Sequence, residues 1–408
     1  MRPIDVHRQA ALTLVHPMPV TRVSIEAADT HVLAQDVRAP SALPRWDNSA
    51  MDGYAVRRAD VAGASTRAPV TLRVLADLPA GSDARPTVVP GTAVRIMTGA
   101  VVPAGADAVV PVEQTDGGLD IVLIAQVPEP GAYIRRAGED ASAGDVVLNA
   151  GIVLGPAQVA AAAAAGCDTL LVHRRPRVAV LSTGSELVPP GHTLQLGQIP
   201  DSNSYLLAAA VRAAGCEAVS VGGAVQDDAT SLRSVLAGLD GSVDAIVTSG
   251  GVSQGAYDVV KEVLAPEGGM AFVEVAMQPG KPQGLGCLAG GTPVFALPGN
   301  PVSVFVSFEV FVRPALLRMR GLVDVDRPEV TGVVVDGWQS PAGLTQHMPV
   351  RFEDKDTSME ARIRRVGPGG SHSHLVAALA LAQGLAVVEA DTVQVRPGDR
   401  LRVTRVDR

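Results

Sequence analysis

Along this chain the spacing of apolar residues changes register several times, and each change predicts a different kind of element. Residues 5–15 carry a short amphipathic pattern at helical spacing, closed by Pro17 and Pro19. From 40 to 149 the apolar residues come in short runs, at 70–75, 92–96, 108–112 and 121–127, with Pro and Gly between them. This predicts a β-rich insertion. Helix returns at 156–166, where Pro156 suits a first turn and Gly166 a stop. After Arg174-Arg175-Pro176 the text alternates: strands are expected at 177–181, 218–225, 244–248 and 293–297. Helices are expected between them, at 202–214, 229–239, 258–264 and 302–319. Such alternation predicts an α/β unit with a three-layer α/β/α arrangement around a parallel sheet. Beyond 327 the runs at 331–335, 347–352, 385–389 and 400–406 read as strands of a small barrel or sandwich. The implied division is 1–40 plus 145–175 as a helical linking domain, 41–144 as the β-rich insertion, 176–322 as the α/β domain and 323–408 as a C-terminal β domain.

Composition narrows the class. With 47% hydrophobic and 19% charged residues, the 408-residue chain is globular and not disordered. A net charge of −8 argues against general nucleic-acid binding. Cys167, Cys216 and Cys287 form no CxxC pair, so neither a zinc knuckle nor a disulfide framework is supported. Residues 1–14 lack a signal-peptide core, and the alanine-rich run at 157–165 is too short to span a bilayer. A cytoplasmic protein without membrane contact is expected.

The most informative stretch is 244–258. Ala245, Ile246 and Val247 are apolar without alternation, as in a strand buried on both faces. They run into Thr248-Ser249-Gly250-Gly251-Val252-Ser253, where small side chains leave the backbone open to a ligand and its N–H groups to an anion. Two more loops leave strand ends of the same unit: Ser182-Thr183-Gly184-Ser185-Glu186 and Pro298-Gly299-Asn300-Pro301. One such loop is an ordinary βα turn more often than not; three on one carboxyl edge point to a phosphorylated ligand. Carboxylates accompany them: Glu186, Asp227, Asp228 and Asp258. A carboxylate beside an anion cradle makes sense with a cation such as Mg²⁺ between them. Of Asp227-Asp228, one is expected to cap the next helix, and Asp228 is placed for it. Lys281, between Pro279-Gly280 and Pro282, adds a positive charge on a stiff loop. The eight histidines show no metal-ligand spacing, and neither a P-loop nor a G-x-S-x-G motif occurs.

These segments resemble a family. Asn48-Ser49-Ala50-Met51-Asp52-Gly53-Tyr54-Ala55, Arg95-Ile96-Met97-Thr98-Gly99-Ala100, Gly138-Glu139-Asp140, the three cleft loops, Pro279-Gly280-Lys281-Pro282 and Gly370-Ser371-His372 follow in order over nearly the whole chain. The sequence is similar to the MoeA-type molybdopterin molybdenumtransferases, related to the gephyrin E domain. The resemblance implies four domains, a MogA-like α/β domain and a homodimer. It implies insertion of molybdate into adenylylated molybdopterin with release of AMP. Thr183, Gly184, Ser185, Ser249, Gly250, Gly251 and Ser253 would then hold the pterin phosphate and adenylate. Glu186, Asp227 and Asp258 would hold Mg²⁺ or orient the water that cleaves the anhydride. Lys281, Ser371 and the backbone of Pro298-Gly299-Asn300-Pro301 would hold molybdate. Asp52, Thr98 and Asp140 would act from a separate domain, on the cleft of the partner protomer. A molybdopterin adenylyltransferase and apo-molybdoenzymes would be its neighbours in the cell.

The chain also departs from the family. Glu274 and Gln278 stand where some members have lysine, which predicts weaker oxyanion capture. Pro349 takes the place of an arginine for which Arg351 can substitute, and 352–360 is unusually charged. Two other readings share the motifs: a molybdopterin adenylyltransferase, against which the flanking domains argue, and a non-catalytic cofactor carrier or scaffold, against which the many carboxylates argue.

Overall fold

In the central strand Ala245–Ser249 all five residues are buried, as a parallel strand covered on both faces requires. The computed structural model describes residues 1–220, 228–252, 258–267, 269–353, 360–367 and 374–407. Ala245–Ser249 pairs in parallel with Arg177–Ser182 on one side and Pro293–Leu297 on the other, and Glu217–Ser220 extends the sheet past Arg177–Ser182. Successive side chains go to opposite faces. Val178, Val180 and Val247 pack with Leu207 and Phe308 in one core, while Ala179, Leu181 and Ile246 pack with Leu232 and Val263 in another. Two helical layers therefore sandwich one sheet, and the expected three-layer unit is present.

The sheet does not stop at Pro293–Leu297. It continues through an antiparallel hairpin, Pro282–Cys287 and Met270–Glu274. Glycines hide this strand in the sequence. A Cβ on Gly286 would lie 2.0 Å from Gly269 O, and one on Gly284 would lie 2.7 Å from the Phe272 ring. Gly is there because neighbouring strands come too close for a side chain. The expected continuous helix at 302–319 is also divided, into Pro301–Ser307, a π-helical turn Phe308–Val312, and Arg313–Met319. Pro314 has no N–H to give the carbonyl four residues back, and a widened turn absorbs the mismatch.

The other units have their own cores. Val20–Ser24, Thr169–His173 and Val32–Leu33 form a three-stranded antiparallel sheet that shares a core with helix Pro156–Ala164. Helix Ile4–Thr13 packs instead on the α/β unit: Ala11 joins its core, and the His7 ring meets Phe311 edge-on at 4.7 Å. The insertion is a five-stranded sheet ordered Ala108–Pro111, Gly53–Val56, Thr92–Ile96, Val70–Leu78, Ile121–Ile124. The C-terminal unit is a closed barrel, not a sandwich. Thr345–Phe352 pairs with Glu360–Arg365, which leads through Glu329–Val334, Arg400–Arg405 and Gly384–Val388 back to Thr345–Phe352. Closure leaves the barrel without free edges. Strand Met277–Gln278 adds in parallel to Thr345 and Gln346, tying barrel to α/β unit. Among the described residues, no helix is long and apolar enough to cross a membrane.

Candidate active site

At the carboxyl edge of the sheet three strand ends are sewn together by their backbones. The Thr183 N–H donates to Ser249 O, and the Gly250 N–H to Leu297 O, each at 3.1 Å. The Ser182 and Ser249 hydroxyls meet at 3.0 Å beneath them. Gly250 has φ +94°, and a Cβ there would sit 2.7 Å from Thr183 O. No other residue fits that position without moving backbone. The loops are therefore small because they touch one another as well as to admit a ligand.

Above them opens a cleft of about 790 Å³. It is lined by Thr183, Gly184, Glu186, Ser249, Gly250, Gly251, Pro298, Gly299, Asn300 and Pro301, all expected from the sequence. Glu186 is the carboxylate on this wall among the described residues, and it folds back over Gly184, where a Cβ would stand 2.8 Å from its Oε1. Asn203, Ser303 and His374 also line it and were not foreseen. Asn203 opens helix Asn203–Ala213 and donates from Nδ2 to Gly299 O at 2.6 Å. The polar run Asp201-Ser202-Asn203-Ser204 before an apolar helix was a usable signal. Capping explains only part of it, since the Asp201 carboxylate accepts the Ser204 N–H at 3.1 Å and leaves Asn203 free to face the cleft. His374 reaches the cleft from the C-terminal unit, a juxtaposition no local pattern encodes.

Two buried polar atoms on this wall, Thr183 Oγ1 and Asn203 Oδ1, have no hydrogen-bond partner among the described residues. Each residue is only 7% exposed. Such atoms are costly unless something polar meets them, so the cleft is built for a hydrogen-bonding ligand.

The remaining expected residues fall elsewhere. Ser185 is exposed beside Gly184. Asp258 immediately precedes helix Val259–Leu264 and does not line the cleft; the Lys261 N–H of that helix donates to Gly251 O at 3.0 Å. Asp228 caps helix Ala229–Leu239 as expected, accepting the Ser231 N–H at 2.8 Å, and these Ser231 contacts hold its carboxyl below the usual range. Lys281 stands one residue from the cleft wall at Pro282 and is paired with Glu274 at 3.1 Å. Asp227, Ser253 and Ser371 lie outside the described residues.

The insertion assembles its own cluster. Asp52 Oδ1 accepts both the Thr98 N–H and the Thr98 hydroxyl at 2.7 Å. Led by the backbone N–H, these bonds lower the Asp52 carboxyl below the ordinary aspartate range. Asp47 ties 44–55 to 135–140: it accepts the Ala137 N–H at 2.8 Å and pairs with Arg136 at 2.6 Å. On that loop the Asp140 N–H donates to Leu43 O at 2.9 Å. None of the described residues lining the cleft comes from 41–144.

A three-layer α/β unit with a glycine-walled cleft on its carboxyl edge, carried with an inserted β sheet and a closed barrel, defines a multidomain α/β protein with a polar cleft at the sheet edge. The chain belongs to the MoeA family. Residues 2–166 match the MoeA N-terminal region (domain I and II), 179–318 the probable molybdopterin binding domain, and 331–406 the MoeA C-terminal region (domain IV). It is 46% identical to molybdopterin molybdenumtransferase 2 of Mycobacterium tuberculosis, over 99% of both chains. It is 32% identical to the molybdopterin molybdenumtransferase of Haemophilus influenzae, over 96% of this chain and 95% of that one. The crystal structure of the molybdopterin biosynthesis moeA protein of Pyrococcus horikoshii superposes with a TM-score of 0.82 at 31% identity, covering 99% of this chain and 98% of the other.

Proposed function

We propose that this protein inserts molybdate into adenylylated molybdopterin and releases AMP, yielding molybdenum cofactor. The observation that carries the reading is the pair of buried oxygens without a partner among the described residues, Thr183 Oγ1 and Asn203 Oδ1, in a glycine-walled cleft of about 790 Å³. A cleft of that size suits a pterin joined to a nucleotide. Thr183, Gly184, Ser185, Ser249, Gly250, Gly251 and Ser253 hold the phosphates and adenylate through backbone N–H and hydroxyl groups. Lys281, Ser371 and the 298–301 backbone take the molybdate dianion. Water attacks the anhydride phosphorus, the P–O bond to the leaving phosphate breaks, and AMP departs.

The metal reading rests on Glu186, Asp227 and Asp258. Among the described residues no group of three or more His, Cys, Asp or Glu side chains gathers at metal-binding distance. A lone wall carboxylate, Glu186, fits Mg²⁺, which keeps several waters and takes its other oxygens from substrate phosphate. Bound there, Mg²⁺ would neutralise charge on the anhydride. The reading further includes a cytoplasmic two-fold homodimer in which Asp52, Thr98 and Asp140 of one protomer face the cleft of the other. An adenylyltransferase would supply the substrate and apo-molybdoenzymes would receive the product.

The test is turnover of adenylylated molybdopterin with and without molybdate, following AMP and active cofactor. AMP release that requires molybdate is expected. Failure to release AMP, or transfer of AMP from ATP onto molybdopterin, would overturn the reading, the second result in favour of an adenylyltransferase.

A further inference from the structure

A second cavity, of about 200 Å³, lies where four parts of the chain meet. Helix Ile4–Thr13 brings Arg8, the π turn and the helix after it bring Glu309 and Arg313, and the connecting segment brings Asp326 and Arg327. The barrel brings Glu329, His347 and Arg402. Four guanidinium groups thus face three carboxylates. The carboxylates are largely committed, and Glu329 and Glu389 hold Arg402 only loosely, at 3.5 and 3.7 Å. Glu309 accepts two bonds from Arg327, at 2.7 and 3.1 Å, and Asp326 is taken by Arg8. Arg313 is left with weak contacts, Glu309 at 4.0 Å and Val325 O at 3.5 Å, although its side chain is only 17% exposed. Its charge is poorly compensated for so sheltered a place: burial first, then neighbouring Arg327, push its pKa down. His347 adds a second unmet demand. It is 7% exposed, and its buried Nδ1 has no hydrogen-bond partner among the described residues.

We propose that this cavity binds a small tetrahedral oxyanion, with Arg313 and Arg402 donating to it and His347 completing its shell. The volume admits an oxyanion with a few waters, each needing about 30 Å³. Planar guanidinium forks are the usual partners of such anions. The ligand would touch the α/β unit and the barrel at once. The barrel unit also sends His374 to the catalytic cleft, so occupancy here fastens one wall of the active site.

The experiment is calorimetric titration of the full-length protein with inorganic phosphate and, separately, sulfate, against chloride at matched ionic strength. One saturable site per chain is expected. It should persist in Lys281→Ala, which changes the cleft side, and weaken at least tenfold in Arg313→Gln. If Arg313→Gln fails to fold, Arg402→Gln, whose side chain is 54% exposed, serves in its place and should weaken binding several-fold. Absence of saturable binding, loss of binding in Lys281→Ala, or unchanged binding in the arginine variants would overturn the proposal.

Discussion

At the scale of the residue, Lys281 is held by a neighbour the sequence made conspicuous for another reason. Glu274, which stands where some family members have lysine, lies 3.1 Å from the Lys281 ammonium, with both side chains about two-fifths exposed. An exposed pair of this kind is worth roughly 0.2–1 kcal/mol. Glu274→Gln should release that much for oxyanion capture, and lower the molybdate needed for half-maximal insertion by up to about fivefold. Gln278→Lys should act in the same direction. A molybdate titration at saturating adenylylated pterin checks both, and unchanged half-saturation would place the oxyanion away from Lys281. Histidine sets the acid side of stability. His7 is buried against Phe311, and burial, then Arg2, lower its pKa from 6.5 to about 4; burial, then Arg402, do the same to His347. Between those values the unfolded chain takes up a proton that the folded chain refuses. Stability is therefore whole above pH 6.5 and declines as pH falls toward 4. By pH 5 each histidine accounts for a loss of about 2 kcal/mol, at ~1.4 kcal/mol per pH unit. Urea midpoints at pH 7.5 and 5 should show the decline, and His7→Leu should remove about half of it.

At the scale of the element, glycines are the hardest residues to read because one letter serves opposite purposes. Gly250 has no room: φ is +94°, and a Cβ would press on the Thr183 carbonyl. Gly238 in helix Ala229–Leu239 has nothing within 4 Å of its missing Cβ. Gly238→Ala should stabilise the protein by about 0.5–1 kcal/mol. Gly250→Ala should destabilise it by about 1–3 kcal/mol and lose adenylate binding. Paired urea denaturation and nucleotide titration distinguish the two, and equal effects would mean that the loop contacts do not govern the cleft. The same ambiguity hid strand Pro282–Cys287, whose Gly284 and Gly286 make room for the strands beside it. The π turn at Phe308–Val312 was half legible. Pro314 announces a disturbance, but whether a helix kinks, ends or widens depends on what packs around it.

At the scale of the whole molecule, the two polar clusters belong to different units. Asp52 with Thr98 sits in the insertion, while the cleft wall draws on the α/β unit and on His374 and Val376. In the proposed two-fold homodimer one protomer's insertion serves the other's cleft, which makes a complementation test decisive. Asp52→Ala and Glu186→Ala chains should each be nearly inactive, since Glu186 is the carboxylate on the cleft wall among the described residues. A randomised equal mixture should regain about a quarter of wild-type turnover, since half the dimers are mixed and each has one whole site. No recovery despite confirmed subunit exchange, or a monomer by sedimentation, would remove the shared-site arrangement.

The order and type of the main elements follow from sequence alone because they depend on local periodicity. Unbroken apolar runs such as Ala245-Ile246-Val247 belong to a buried parallel strand, and Asp228 before an amphipathic run is a cap. Three small-residue loops at strand ends likewise place a ligand edge, since every parallel strand delivers its C-terminal loop to the same side. What lies beyond those patterns was set by packing at long range. Asn203 became a cleft residue because Asp201 satisfies the helix start and Gly299 receives its amide. His374 entered the cleft because the barrel docks on the α/β unit. The antiparallel hairpin formed because Gly284 and Gly286 let Phe272 and Gly269 come close. The barrel closed because Gly384–Val388 finds Thr345–Phe352, strands 31 residues apart. Each of these depends on a partner distant in the chain, and local spacing carries no record of which partner that is.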